Sequence, residues 1–143
     1  MKRAVGLGIA LVAVVLANGL DAVKSEPNLE KRSRLALDNA NAAIDTAREA
    51  YAAGHLKESR DALVEVRDSV DLCLESLNET HKEARRSPKA FKHAEMEIRE
   101  LIRRLKSLET DFSVEDRNEV FKTEQRLQEV HDELIARIMS KHK

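Results

Sequence analysis

The residues best suited to chemistry are five histidines: His55, His81, His93, His131 and His142. If the surrounding helices run antiparallel, His81 and His93 lie at similar height near one end of a bundle. His131 then falls roughly one turn further along, at a rise of about 1.5 Å per residue. Glu95, Glu97 and Asp132 are close by in sequence, so imidazoles and carboxylates could meet around Zn²⁺, Cu²⁺ or Ni²⁺. The competing reading is of partly exposed histidines on charged helix faces. It is preferred, because the chain has no HExxH, CxxC or CxxCH, nor the ExxH of di-iron bundles. No metal site is therefore assigned, and His81, His93 and His131 remain its only candidates.

Other chemistries are poorly served. Cys73 is the only cysteine, so an intramolecular disulfide and a c-type haem are both excluded. It lies within an apolar stripe, which predicts a buried thiol acting as a small hydrophobe. There is no GxSxG, no glycine-rich phosphate loop and no Cys-His arrangement. No catalytic residue and no cofactor are expected, and the chain reads as a non-enzyme.

Charge is segregated along the sequence. His81 to Lys106 carries nine Lys or Arg against four Glu, and Glu109 to Glu133 carries nine acids against Arg117, Lys122 and Arg126. Two readings follow. The third and fourth helices could pair charge across their flanks, each exposed pair adding only a few tenths of a kcal/mol. Alternatively the basic stretch is a patch for anionic lipid head groups or an acidic partner.

These residues must be positioned by helices. Alanine, leucine, glutamate, lysine and arginine dominate the 143 residues, aromatics make up 3% and tryptophan is absent, a composition of long helices. The apolar stripes step by three and four: Leu37, Ala40, Ile44, Ala47 and Tyr51; then Leu56, Ser59, Leu63, Val66, Val70, Cys73 and Leu77. They continue as Phe91, Ala94, Ile98, Leu101, Leu105, Leu108 and Phe112. The last is Val120, Leu127, Leu134 and Ile138, widened by Phe121, Val130, Ile135 and Met139. Breaks fall where the chemistry of caps puts them. Pro27 suits a first helical turn, Gly54 a C-cap, Ser87-Pro88 a helix start, and Ser113 with Asp116 a variant capping box. The predicted helices are 26–53, 56–86, 88–110 and 114–141. The predicted fold is all-α: an antiparallel up-down-up-down four-helix bundle, with extended coiled-coil hairpins as the alternative.

The first residues belong to another category. Met1-Lys2-Arg3, the uncharged run 4–17 and the small residues Ala17, Gly19 and Ala22 follow the pattern of a secretory signal peptide. The run is short for a membrane span, which takes about 20 apolar residues. Residues 1–22 are read as signal peptide, cut after Gly19 or Ala22, and 23–143 as one helical domain in the bacterial periplasm. The latter carries a formal net charge of −2, which gives no reason to expect a nucleic-acid partner.

Two resemblances bear on partners. AREAYAAGHLKESRDAL, Ala47 to Leu63, resembles one tetratricopeptide unit: Ala47, Gly54, Leu56, Ser59 and Leu63 match in type and spacing. Ala43 and Thr46 stand where that unit has large residues, Asp71 where it closes with proline, and no second copy follows. Such arrays need about three units, so the match implies one hairpin corner and no peptide groove. The signal peptide, the four-helix pattern and the ending RLQEVHDELIARIM resemble small exported helical proteins of bacteria, which imply export and bring no activity. Periplasmic stress chaperones of hairpin type compare only loosely, since their LTxxQ repeats are missing. The expectation is an exported structural or protein-interaction protein that self-associates or binds a protein partner. The alternatives are a module for metal ion or anionic lipid, with weak contact to an anionic membrane surface, or a chaperone-like holdase.

Overall fold

The computed structural model describes residues 19–82, 84 and 88–140. Four long helices build it: α1 (Leu29–Ala52), α2 (Leu56–Glu79), α3 (Pro88–Asp111) and α4 (Asn118–Met139), with a single 3₁₀ turn at Val114–Asp116 before α4. The described residues contain no strand. The protein is an all-α helical bundle, as the periodicity predicts.

The ends of the helices have local causes. Asn28 caps α1 by accepting the Lys31 N–H at 3.0 Å, while its own N–H donates to Glu26 at 3.2 Å. Helix α1 therefore starts two residues after Pro27, not at the predicted residue 26. At its other end Gly54 takes φ 81, with Gly54 N–H donating to Tyr51 O at 2.9 Å and His55 N–H to Ala50 O at 2.8 Å. This is the Schellman closure that glycine makes without strain. Helix α2 was expected to run to residue 86 and ends at Glu79. The Thr80 hydroxyl donates to Leu77 O at 2.6 Å and accepts the Lys82 N–H at 3.3 Å, and His81 turns the chain with φ 55.

At residue 113 the capping box does not form. The Ser113 hydroxyl donates to Asp116 Oδ2 at 2.9 Å, but Tyr51 OH donates to the same oxygen at 2.8 Å. With Asp116 drawn to Tyr51, the chain makes a 3₁₀ turn and α4 begins only at Asn118. The predicted start at 87–88 coincides with α3 at Pro88, although Ser87 lies outside the described residues.

Cross-helix bonds define the arrangement. Arg32 with Ser76 and Glu79, Asn39 with Ser69, and Ser59 with Ala47 O show α1 and α2 antiparallel. Arg104 with Asn41 and Asp45, and Arg48 with Asp111, show α3 alongside α1 and parallel to it. Arg67 with Glu119 and Arg126 with Asp71 show α4 parallel to α2. Helices α3 and α4 close as a second antiparallel hairpin. Going round the bundle the order is α1, α2, α4, α3, so α2 and α3 are antiparallel but sit on the diagonal. The chain crosses the end of the bundle between them.

The core runs the length of this arrangement, with Leu37, Ile44, Leu63, Val66, Val70, Leu77, Ile98, Leu101, Leu105, Leu108, Leu127 and Leu134 essentially sealed. Small residues on α1 (Ala36, Ala40, Ala43 and Ala47, all fully buried) let α2 approach closely. Of the four positions predicted to widen the stripe on α4, Val130 alone does so. Phe121, Ile135 and Met139 are exposed, while Val130 and Thr123 are buried. At about 100° per residue, the latter two point toward α2 and the former three turn past α3. Buried Thr123 donates to Glu119 O at 2.8 Å and accepts from Arg67 at 2.9 Å.

Residues 19–24 are helical and add Leu20 and Val23 to the core. A Cβ at Gly19 would come within 2.5 Å of Asn39 Oδ1. The signal-peptide expectation for residues 1–18 lies outside the described residues. No described helix is long and apolar enough to cross a membrane.

Candidate functional site

The three metal candidates are not brought together. His81 sits exposed at the end of α2, beside a shallow groove lined by Asp71, Leu74, Glu75, Asn78, Glu79 and Arg126. His93 is exposed on the outer side of α3. His131 is half-buried on α4, its Nε2 2.9 Å from Glu95 Oε1. Direction, and not height, keeps them apart. His93 points outward while His131 faces the α3–α4 seam, and α2 lies across the diagonal. Among the described residues no group of three or more His, Cys, Asp or Glu is placed to hold a metal ion.

Cys73 is buried, as its stripe predicts. Burial pushes its thiol up to about 12, so the thiolate needed for nucleophilic attack is scarce at neutral pH.

The corner made by AREAYAAGHLKESRDAL is closed by the other hairpin. Tyr51 stacks on Phe112 with ring centroids 3.8 Å apart and planes within 10°. Tyr51 OH accepts the Ser113 N–H at 2.9 Å as well as donating to Asp116. Beneath the pair is a cleft of about 240 Å³ whose walls include Ser59, Arg60, Glu115 and Glu119. Helix α2 continues unbroken from this corner to Glu79.

Along the α3–α4 seam lies a carboxyl pair that the sequence did not single out. Burial, then a hydrogen bond with Glu109, then Glu109's charge push the Glu124 carboxyl up to about 7; Lys106 works against that rise. Two acids on facing helices cannot both ionise cheaply at close range. The only sequence signal would have been their register across the hairpin, which a stripe analysis does not give.

The bundle's charges pair differently from the expected α3–α4 match. Helix α3 pairs with α1 in both senses, its Arg104 reaching Asp45 of α1 and its Asp111 meeting Arg48 of α1. Acidic α4 meets α2 through Arg67–Glu119 at 3.0 Å and Arg126–Asp71 at 2.8 Å. Between α3 and α4 a described polar contact is His131 Nε2 with Glu95. The outer side of α3 is consequently left basic. Lys89, Lys92, Met96, Arg99, Arg103 and Lys106 recur every three or four residues and all are exposed. Met96 is 58% exposed in the middle of the row. Among the described residues Arg99 is met by Glu95 and Arg103 by Glu100, both on the same helix, and such pairs leave much of each cation in water.

No family model, curated protein or solved structure matches the chain.

Proposed function

We propose that this is an exported helical interaction protein, without catalytic activity, that works through the outward face of α3. The observation that carries the reading is the exposed row Lys89–Lys92–Met96–Arg99–Arg103–Lys106. The bundle's own interior is filled by other faces, so this row contributes little to folding. A methionine set among long cations offers adaptable apolar contact inside a charged frame. Export rests on the signal-peptide pattern of residues 1–22. The reading as a non-enzyme rests on the lack of a catalytic motif in the sequence and on a sealed Cys73.

A photo-activated cross-linking residue in place of Met96 tests this in the living cell. Capture of a partner from position 96, lost when Lys92 and Arg103 are both reversed to glutamate, is the expected result. An unlinked protein under every condition would remove the reading. The same face would also suit an anionic membrane surface. Flotation with anionic vesicles, but no protein product at position 96, would transfer the role from a protein partner to the lipid.

A further inference from the structure

Resting on the reading of the α3 face as the working surface, we infer that its partner is a second copy of this chain, docked through the outward face of α2. The two faces are complementary and point in opposite directions. On α2 the exposed positions Asp61, Val64, Asp68, Glu75 and Glu79 recur at helical spacing, with Asp71 half-buried beside them. This row is acidic with one apolar residue, Val64, 38% exposed. The α3 row is basic with one apolar residue, Met96. Because α2 and α3 occupy diagonal corners of the bundle, one molecule presents its acids on one edge and its bases on the opposite edge.

The register agrees as well. Arg32–Glu79, Asn39–Ser69 and Ala47–Ser59 fix the heights of α2 against α1. Arg104–Asn41 and Arg48–Asp111 fix those of α3. Together they put Glu79 between Lys92 and Met96, Glu75 between Met96 and Arg99, Asp68 level with Arg103, and Asp61 close to Lys106. At the far end Lys57 of α2 comes level with Asp111 of α3. A copy displaced sideways without rotation therefore meets its neighbour with opposite charges along the whole helix.

Such a contact is heterologous, so each copy has one face of each kind and assembly extends head to tail. A 24-residue helix is about 36 Å long and, with side chains, about 10 Å wide. That strip is well below the roughly 800 Å² per partner of a standard stable interface. The association is weak, concentration-dependent and sensitive to salt.

The test is sedimentation velocity on the protein purified from the cell envelope as the cell processes it. Runs are compared at about 0.01 M salt, where charges are felt over about 30 Å, and about 1 M, where the range is about 3 Å. Two double variants are made on exposed positions, Lys92→Glu with Arg103→Glu and Asp68→Lys with Glu75→Lys, with circular dichroism checking their fold. Wild type should associate at low salt and dissociate at high salt. Each variant alone should weaken association at least tenfold, and an equimolar mixture of the two should restore it, because the reversed faces again match. A wild type monomeric at low salt up to the solubility limit overturns the inference, as does association that reversal leaves untouched or mixing fails to restore. If copies do not associate but position 96 captures a different protein in the cell, the self-docking inference fails and the α3 reading stands. If neither is seen, both fail.

Discussion

Replacing Glu124 with glutamine should stabilise the bundle at pH 8 and change it little at pH 5. Glu124 faces Glu109 and Lys106 of α3, and its carboxyl is pushed from 4.5 up to about 7, chiefly by burial and then by Glu109. A carboxyl raised in the folded state favours folding while it is protonated. Its contribution is complete below the unfolded value of 4.5 and is lost as pH rises through about 7. Above that the fold carries an ionised Glu124 beside Glu109, and the unfolded chain does not. Each unit of displacement is about 1.4 kcal/mol, and solvent at this partly open seam reduces the total to about 1–2 kcal/mol. Glutamine keeps a hydrogen-bond donor for Glu109 and removes the charge. Urea unfolding of both proteins at pH 5, 6, 7 and 8 should show a gap opening in favour of the variant across pH 5–8. A gap of equal size at every pH, or a less stable variant at pH 8, would refute the reasoning.

Four further outcomes follow from the packing. Tyr51→Phe keeps the stack on Phe112 but removes the hydroxyl shared by Ser113 and Asp116, and thermal unfolding should register a loss of about 1 kcal/mol. Phe112→Ala should cost about 3–5 kcal/mol in the same assay, because it takes away both the stack and a buried ring. Cys73 should resist a thiol-specific chromogenic reagent in the native protein and react fully once urea unfolds it, since its thiol is buried and pushed up to about 12. A chain beginning at Val23 should be less stable than one beginning at Leu20 by about 1.5–3 kcal/mol, as it lacks a leucine that is 7% exposed against the core.

Much of the fold was legible because it depends on local rules. The stripes from Leu37 to Ala47, from Ser59 to Leu77 and from Phe91 to Phe112 identify the faces that pack, and Gly54 identifies a turn that needs positive φ. What escaped depends on tertiary contacts. Asp116 serves Tyr51 instead of a capping box because the two hairpins meet there. The short link after Glu79 suggests adjacent helices, yet α3 crosses to α1 and leaves α2 on the diagonal. That one choice separates His81 from His93. It also decides that the basic stretch faces outward on α3 instead of meeting the acids of α4. The Glu109–Glu124 pair is a product of register between α3 and α4, and single-helix periodicity carries no information about it. By sequence, residues 19–22 read as the end of the leader and the first helix begins only at 26, yet 19–24 are helical and Leu20 and Val23 lie on the bundle.

The claim that matters most is that α3's outward face is occupied when the protein works. Lysine acylation in intact cells, read by mass spectrometry, measures this directly. Lys92 and Lys106 on that face should react more slowly in the cell than in dilute purified protein at high salt, while Lys31 on α1, 55% exposed, should react alike in both. Equal reactivity of Lys92 and Lys106 in the two settings would contradict it.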